Sequence, residues 1–303
     1  MAITGTGTQA DPYIVHSYTE LKDACAGVPS TSYLKFYVEL ANDIDCNEYG
    51  ENFEWETIKG KSNGAYAYAL DLKGHTIKNF KVKDNQWAFH LSNSYSGSCE
   101  IQNGKILNAY LSDSAGFATI GGNSLPNASA LLKNLSISVN ASRGLASSSQ
   151  YMFKEILIDS CAIYVEGTMW SGNYNAVFRP YSESYPISNC DILVNFPQQT
   201  GSHSESLFYG VQSNQKSVRN CRIRGTFNTT YGAMVCGAHN CVVDLANPSE
   251  AHFSQTFQSC TGVINSDKWS GTLYSGLTPV TSAEIINGAA LRAKGFDVLN
   301  VTS

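Results

Sequence analysis

One short phrase recurs along the middle of this 303-residue chain and constrains its fold more than any other feature. It reads Lys133-Asn134-Leu135-Ser136-Ile137-Ser138-Val139, then Asp159-Ser160-Cys161-Ala162-Ile163-Tyr164-Val165, then Ser188-Asn189-Cys190-Asp191-Ile192-Leu193-Val194. It returns as Arg219-Asn220-Cys221-Arg222-Ile223-Arg224-Gly225 and as His239-Asn240-Cys241-Val242-Val243-Asp244-Leu245, with a blurred copy at Gln258-Ser259-Cys260-Thr261-Gly262-Val263-Ile264. Each copy sets a small polar residue before apolar residues at alternate positions, which is the period of a strand with one buried face. The copies lie 26 residues apart from Leu135 to Cys161, and then 29, 31, 20 and 19 apart. Similar strands at such intervals predict stacked coils rather than one closed core.

Parallel strands stack at ~4.8 Å, so like residues should lie on like. Ile137, Ile163, Ile192, Ile223 and Val243 are therefore expected to form one inward column. Asn134, Ser160, Asn189, Asn220, Asn240 and Ser259 are expected at the corner beside it. There Asn tolerates left-handed backbone, and its amide can bond the amide above it in a ladder. A β-propeller, the main rival, wants ~40-residue blades at more even spacing.

Five of the nine cysteines (Cys161, Cys190, Cys221, Cys241 and Cys260) fall at the same place in the phrase. No CxxC pair is present, so a zinc ribbon is not expected; the reading is a column of small, buried, reduced thiols. Charged residues are 15% of the chain, and Ser, Thr, Asn and Gly take their place on a polar surface. A net charge of −5 argues against a nucleic-acid footprint, which needs a basic patch. No apolar run approaches the ~20 residues that span a bilayer. Met1-Ala2-Ile3-Thr4-Gly5-Thr6-Gly7 has neither a basic n-region nor an apolar h-region, so no secretory signal is expected at this start.

The ends differ from the middle. Tyr13-Ile14-Val15 reads as a strand, and Ser17-Tyr18-Thr19-Glu20 as a capping box opening a helix that buries Leu21, Ala24 and Cys25. Thr281-Ser282-Ala283-Glu284 is a second capping box, opening a helix through Ile285, Ile286, Ala289, Ala290, Leu291 and Ala293. A solenoid must cover its terminal rungs, because an open edge pairs with other chains. The expected organisation is an N-terminal cap over residues 1–30, coils over 31–278 and a C-terminal capping helix and tail over 279–303.

The opening also carries a resemblance. Gly5-Thr6-Gly7-Thr8 with Asp11-Pro12-Tyr13-Ile14-Val15, a Thr19-Glu20-Leu21 helix, and Tyr37-Val38-Glu39-Leu40-Ala41-Asn42-Asp43-Ile44-Asp45 resemble the N-terminal cap of bacterial and phage right-handed parallel β-helix proteins. Leu70 to Phe80 is similar to their recurrent Gly-His-Thr-Ile rung, departing from it at Lys73. The resemblance spans about the first 80 residues and implies a fold more than a function. The fold expected is all-β: a single-stranded right-handed parallel β-helix with short helical caps at both ends.

No GxSxG, HExxH, P-loop or dinucleotide fingerprint occurs, and no metal-ligand spacing; neither cofactor nor metal is expected. β-Helix glycosidases set Asp/Glu pairs ~5–9.5 Å apart on an outer face. Glu183 and Glu205, in presumed loops of successive coils with Glu166, are the weak catalytic candidates; the competing reading is solvated loop charge. Glu51, Glu54 and Glu56 form an acidic loop, while Arg179 and Arg224 stand isolated in sequence. Trp170, Tyr174, Tyr181 and Tyr185 fall in presumed loops beside the long intervals and are the candidate partner surface. Aromatic faces suit a subunit interface first and sugar rings second.

The function expected is a non-enzymatic structural component of a phage particle: a fibre, spike or decoration protein attaching to a host surface or glycan. The expected partners are other virion proteins, a host cell-surface glycan and, by analogy, two further copies in a homotrimer. The expected location is the virion, assembled in a bacterial cytoplasm. A polysaccharide depolymerase is the enzymatic alternative, and a bacterial adhesin at the cell surface is the third reading.

Overall fold

The computed structural model describes residues 3–27, 35–60, 67–91, 99–112, 115–119, 130–141, 151–170, 176–179, 186–197, 199–200, 206–208, 217–227, 238–246, 261–268 and 276–287. Nearly all of the regular structure is strand, and every named strand pairing is parallel. The strands form an 18-stranded sheet, a six-stranded sheet and a two-stranded pair. Non-consecutive neighbours within each sheet mean that the chain coils, returning to each sheet one level further on. The protein is a parallel β-solenoid.

The larger sheet consists of two ladders meeting at a corner, and the strands Cys99–Leu111 and Ala130–Ala141 run through that corner unbroken. The first ladder aligns Tyr13, Val38, Leu70, Ile101, Leu132, Ile158, Ile187, Val218 and Ala238, all buried. The second aligns Ile44, Ile77, Ile106, Ile137, Ile163, Ile192, Ile223, Val243 and Ile264. The column expected from Ile137 to Val243 is therefore present, and it extends three levels earlier and one later. Alternate residues face outward, as the period of two requires. Full burial of each aliphatic side chain contributes about 1.5–3 kcal/mol, which the stack repeats at every level.

The corner explains the polar residue of the phrase. Asn134, Ser160, Asn189, Asn220 and Asn240 all have φ between 51° and 55°, in the left-handed region that Asn tolerates. Their amides form the expected ladder, broken at Ser160. Asn134 Nδ2 donates to Asn103 Oδ1 at 3.2 Å, and Asn103 Nδ2 to Asp71 Oδ2 at 3.0 Å. Above the break, Asn240 donates to Asn220 at 2.9 Å, Asn220 to Asn189 at 3.4 Å and Asn189 to Asp159 at 2.8 Å. Each ladder ends on a carboxylate, which accepts the last amide proton. Ser259 lies outside the described residues.

The residue after each corner points into the coil. Gly104 occupies this place in one level, where an added Cβ would sit 2.4 Å from Leu72 Cβ. Cys161, Cys190, Cys221 and Cys241 occupy it later, all buried and all free thiols. Each Sγ donates back to the carbonyl two residues earlier: to Asp159 at 3.3 Å, Ser188 at 3.0 Å, Arg219 at 3.1 Å and His239 at 3.3 Å. A thiol suits the place because it is small, weakly polar and able to satisfy that carbonyl. Burial pushes the Cys221 thiol well above its ordinary value, with the adjoining thiols adding to the effect. Cys260 lies outside the described residues.

The six-stranded sheet closes the coil through Ile58–Lys59, Trp87–His90, Gly116–Thr119, Tyr151–Lys154, Ala176–Arg179 and Ser206–Phe208. Ile58, Phe89, Ala118, Phe153, Phe178 and Phe208 stand in register along it. Its rings stack from level to level: Phe117–Phe153 at 5.1 Å, Phe153–Phe178 at 4.9 Å and Phe178–Phe208 at 5.3 Å between centroids. Ala233 to Cys236, read from sequence as a further strand here, lies outside the described residues.

Both ends carry short helices. The first, Tyr18–Cys25, buries Tyr18, Leu21, Ala24 and Cys25. Ser17 caps it by accepting from the Glu20 N–H, but the capping box differs from expectation. The Glu20 carboxylate accepts at 2.7 Å from the N–H of His16, one residue before the cap, instead of from Ser17. The second helix, Ser282–Ile286, has a complete capping box between Thr281 and Glu284. Its Ile285 packs with Val242, Val263 and Val280 against the last strands. Ile286 is 83% exposed, so the expected run of one buried face holds there for Ile285 alone. Residues 288–303 lie outside the described set.

Candidate functional site

None of the loop residues singled out from sequence settles a site. Tyr174, Tyr181, Tyr185, Glu183 and Glu205 all lie outside the described residues. Trp170 belongs to the short strand Met169–Trp170, whose backbone pairs with Gln199–Thr200. Three readings change. Glu166 is not in a loop: it lies in the strand Ala162–Gly167 and accepts from Asn140 and Tyr164. Arg224 is isolated only in sequence, since its guanidinium grips Asp191 through Nε at 3.1 Å and Nη2 at 2.8 Å. Arg179 likewise has a carboxylate nearby, Glu155, at 3.8 Å. Coiling brings residues about 30 positions apart into register, and sequence adjacency does not report those neighbours.

The described surface instead offers a groove near the N-terminal end of the six-stranded sheet, with a cavity of about 490 Å³. Its lining residues are Glu56, Thr57, Lys59, Lys83, Asn85, Gln86, Trp87 and His90. Two consecutive levels build it. The lower level supplies Glu56 to Lys59 around the strand Ile58–Lys59. The upper supplies the turn Lys83 to Gln86 and the strand Trp87–His90. Beneath them, Trp55 is fully buried, and its indole N–H donates to the Ala88 carbonyl at 2.9 Å. The turn is fixed by Asn85 at φ 60°, by the Gln86 N–H on the Lys83 carbonyl at 3.1 Å and by Thr57 Oγ1 donating to Gln86 Oε1 at 3.4 Å.

Trp87 forms the apolar wall and is half-buried. The next level meets it with Gly116, whose backbone pairs with Trp87 in register. A Cβ at Gly116 would lie 2.2 Å from the indole ring, so only glycine lets the ring lie across that backbone. The ring is thus held in place by the sheet rather than left on a mobile loop.

The charges around this wall are mostly positive. Lys59 is exposed and makes no ion pair among the described residues, whereas Lys83 faces Glu54 at 3.7 Å. Glu56 is turned toward Lys22, at 2.9 Å. The hydrogen bond and charge of Lys22 hold the Glu56 carboxyl below the usual range, with Lys83 and Lys59 adding to the effect. Burial, and then the charge of Lys59, push His90 below its ordinary value. Among the described residues the groove therefore combines an aromatic face, two lysines, a histidine and three neutral polar side chains around a single carboxylate. That set can hold a ligand by ring stacking and charge-assisted hydrogen bonds. Among the described residues it lacks the facing carboxylate pair that most glycoside hydrolases use.

A second hollow, of about 340 Å³, lies on the outer face of the first ladder. Glu39, Asp71 and Glu100 converge there with Tyr37 and Gln102. Glu39 and Asp71 are register neighbours. Each carboxylate already has partners: Glu39 faces Lys73 at 3.6 Å, and Glu100 faces Lys35 at 2.7 Å. Asp71 accepts from the Lys73 N–H at 2.8 Å and from Asn103 at 3.0 Å. Among the described residues no cluster of His, Cys, Asp and Glu could hold a metal ion, and no helix is long and apolar enough to cross a membrane.

Sequence reading missed both hollows. The available signals were Trp87 beside His90 in a strand, and the outward residues of Tyr37-Val38-Glu39 and Leu70-Asp71; neither shows that its level stacks on the others. The chain matches no protein family model and no curated protein. Among solved structures it is similar to a protein from Bacteroides ovatus provisionally named an immunoglobulin A1 protease. The two share 16% identity and a TM-score of 0.47, over 96% of this chain and 90% of that one.

Proposed function

We propose that this protein is a non-enzymatic structural component of a phage particle, a fibre, spike or decoration protein, and that the Trp87 groove attaches it to a surface glycan. One observation carries the reading: an indole ring laid across Gly116 on a rigid sheet, with Lys59, Lys83, Asn85 and Gln86 around it. Sugar rings offer an apolar face to such an indole and hydroxyls to such amides. A stiff solenoid suits attachment, because its site is ordered before the ligand arrives and little ordering entropy is lost. The resemblance of the first 80 residues to phage and bacterial β-helix caps points the same way. Assembly with other virion proteins, and as a homotrimer, belongs to the same proposal.

The test is a glycan array probed with the full chain and with Trp87→Ala. Binding to a defined glycan set, lost in the variant while its circular dichroism spectrum is unchanged, is the expected result. A wild-type chain that binds no glycan would overturn the reading. A depolymerase is the second reading, favoured by the convergence of Glu39, Asp71 and Glu100 in the second hollow. It requires release of reducing ends from a polysaccharide, abolished by Glu100→Gln.

A further inference from the structure

We infer that two copies of this chain meet through the outer face of the second ladder, about a two-fold axis at Leu193 that pairs Glu166 of each copy with Arg222 of the other. Four of the five described carboxylates on that face already have a cation. Asp45 faces Lys78 at 3.2 Å, Glu54 faces Lys83 at 3.7 Å, Asp191 faces Arg224 at 2.8 Å and Asp244 faces Lys268 at 2.8 Å. Glu166 has no cation among the described residues and is held by neutral donors, Asn140 at 2.8 Å and Tyr164 at 2.5 Å. Arg222 is the converse: it makes no ion pair among the described residues, and its Nε is buried without an acceptor. A second orphan stands beside Glu166, since Asn140 Oδ1 is buried without a donor. One place on the face therefore lacks a donor, and another lacks an acceptor. Buried polar groups left unpaired cost stability, and a second copy supplies both partners at once.

The register gives the symmetry. Leu193 stands beside Tyr164 on one level and beside Arg224 on the next. Glu166 lies two residues beyond Tyr164, and Arg222 two residues before Arg224. Two residues span ~6.6 Å and one level ~4.8 Å, so each charge lies roughly 8 Å from Leu193, in opposite directions. At roughly 16 Å apart, Glu166 and Arg222 cannot pair within one chain. A two-fold axis in the plane of the face, crossing that line at Leu193, superposes Glu166 of one copy on Arg222 of the other and repeats the pair in reverse. The axis runs past Ser136, Leu193 and Ala246, three uncharged residues that would meet their own copies. The same operation sets Arg224 against Asn195 and Asp244 against Thr226, so no like charges collide. Leu193 is half-buried, and Ala162 and Asn195 around it are exposed, so the face is open to a partner. From the level of Lys78 to that of Arg224 it measures roughly 25 Å by 17 Å, about half of a standard interface per partner. Association should therefore be weak, with a micromolar dissociation constant. This contact does not depend on the virion reading, whose trimer would bring other surfaces together.

The experiment is analytical ultracentrifugation of the full chain from about 1 to 300 micromolar, a range that brackets the expected affinity. The chains compared are wild type, Glu166→Arg, Arg222→Glu and the double variant carrying both, with circular dichroism verifying the fold. The wild type should pass from monomer to dimer. Each single reversal should weaken the dimer about ten-fold or more, because it sets like charges together twice per dimer. The double variant should return to within about three-fold of wild type, since it restores both pairs with the signs exchanged. Leu193→Cys offers a readout that leaves the charges alone: with oxidised glutathione, two such chains should join through a disulfide across the axis. A wild type that stays monomeric throughout would overturn the inference. So would a dimer that neither reversal weakens, or a double variant no stronger than the singles. A trimer indifferent to these substitutions would overturn it too, while leaving the virion reading standing.

Discussion

Replacing Asn189 by glycine, alanine and valine separates the corner argument from ordinary strand propensity. Asn189 sits at φ 55° between two rungs. Its amide donates to Asp159 at 2.8 Å, and its oxygen accepts from Asn220 at 3.4 Å. The first bond is charge-assisted and partly buried, worth roughly 1.5–2 kcal/mol; the second is long and exposed and worth a few tenths. Glycine loses both bonds but enters the left-handed region freely, for a cost of about 2 kcal/mol. Alanine adds about 1 kcal/mol of left-handed strain, giving roughly 3 kcal/mol. Valine, β-branched, is a worse fit to positive φ and should cost roughly 4 kcal/mol or more. Strand propensity alone predicts the reverse order, with valine best and glycine worst. The assay is urea unfolding followed by far-ultraviolet circular dichroism. Solenoids need not unfold in one step, so the order of midpoints is the readout rather than an extrapolated free energy. Midpoints that rank valine at or above glycine would refute the corner account.

Two further outcomes follow from buried and half-buried charge. Arg224→Met alone should destabilise by about 3 kcal/mol, because Asp191 is only 4% exposed and would lose its bidentate partner, while Asp191→Leu with Arg224→Met should recover most of that loss in the same assay. His90 has its folded pKa depressed, so below its ordinary value of 6.5 the unfolded chain binds a proton that the folded chain resists. Stability should therefore fall as pH drops through 6.5 toward the folded pKa, and His90→Gln should flatten that slope in thermal unfolding scans.

Much of the fold was legible because a solenoid repeats a local rule. The Asn189-Cys190-Asp191-Ile192 pattern specifies a left-handed corner, a small inward residue and the next inward strand position without reference to distant residues. The same pattern at Asn103-Gly104-Lys105-Ile106 escaped notice because glycine stands where cysteine stands later. Lys73-Gly74-His75-Thr76-Ile77 was legible as a rung only through its resemblance to other β-helix rungs, because lysine rather than asparagine stands at its positive-φ corner, at φ 52°. Functional side chains were harder to find, since they carry no repeat. The loop aromatics drew attention as exposed rings, while Trp87 read as one more strand residue.

By itself, then, the sequence determined the coil: the period of two, the corner residues and the inward Ile and Cys columns are all local or repeated properties. Only the tertiary structure decided what stands beside what on the outside. The number of residues per coil varies from level to level, so register cannot be counted out along the chain. The stacking of Trp87 on Gly116, of Lys59 on His90 and of Arg224 on Asp191 depends on how each outer loop is taken up. The core is fixed by a rule that every rung obeys, whereas the groove arises where particular rungs meet.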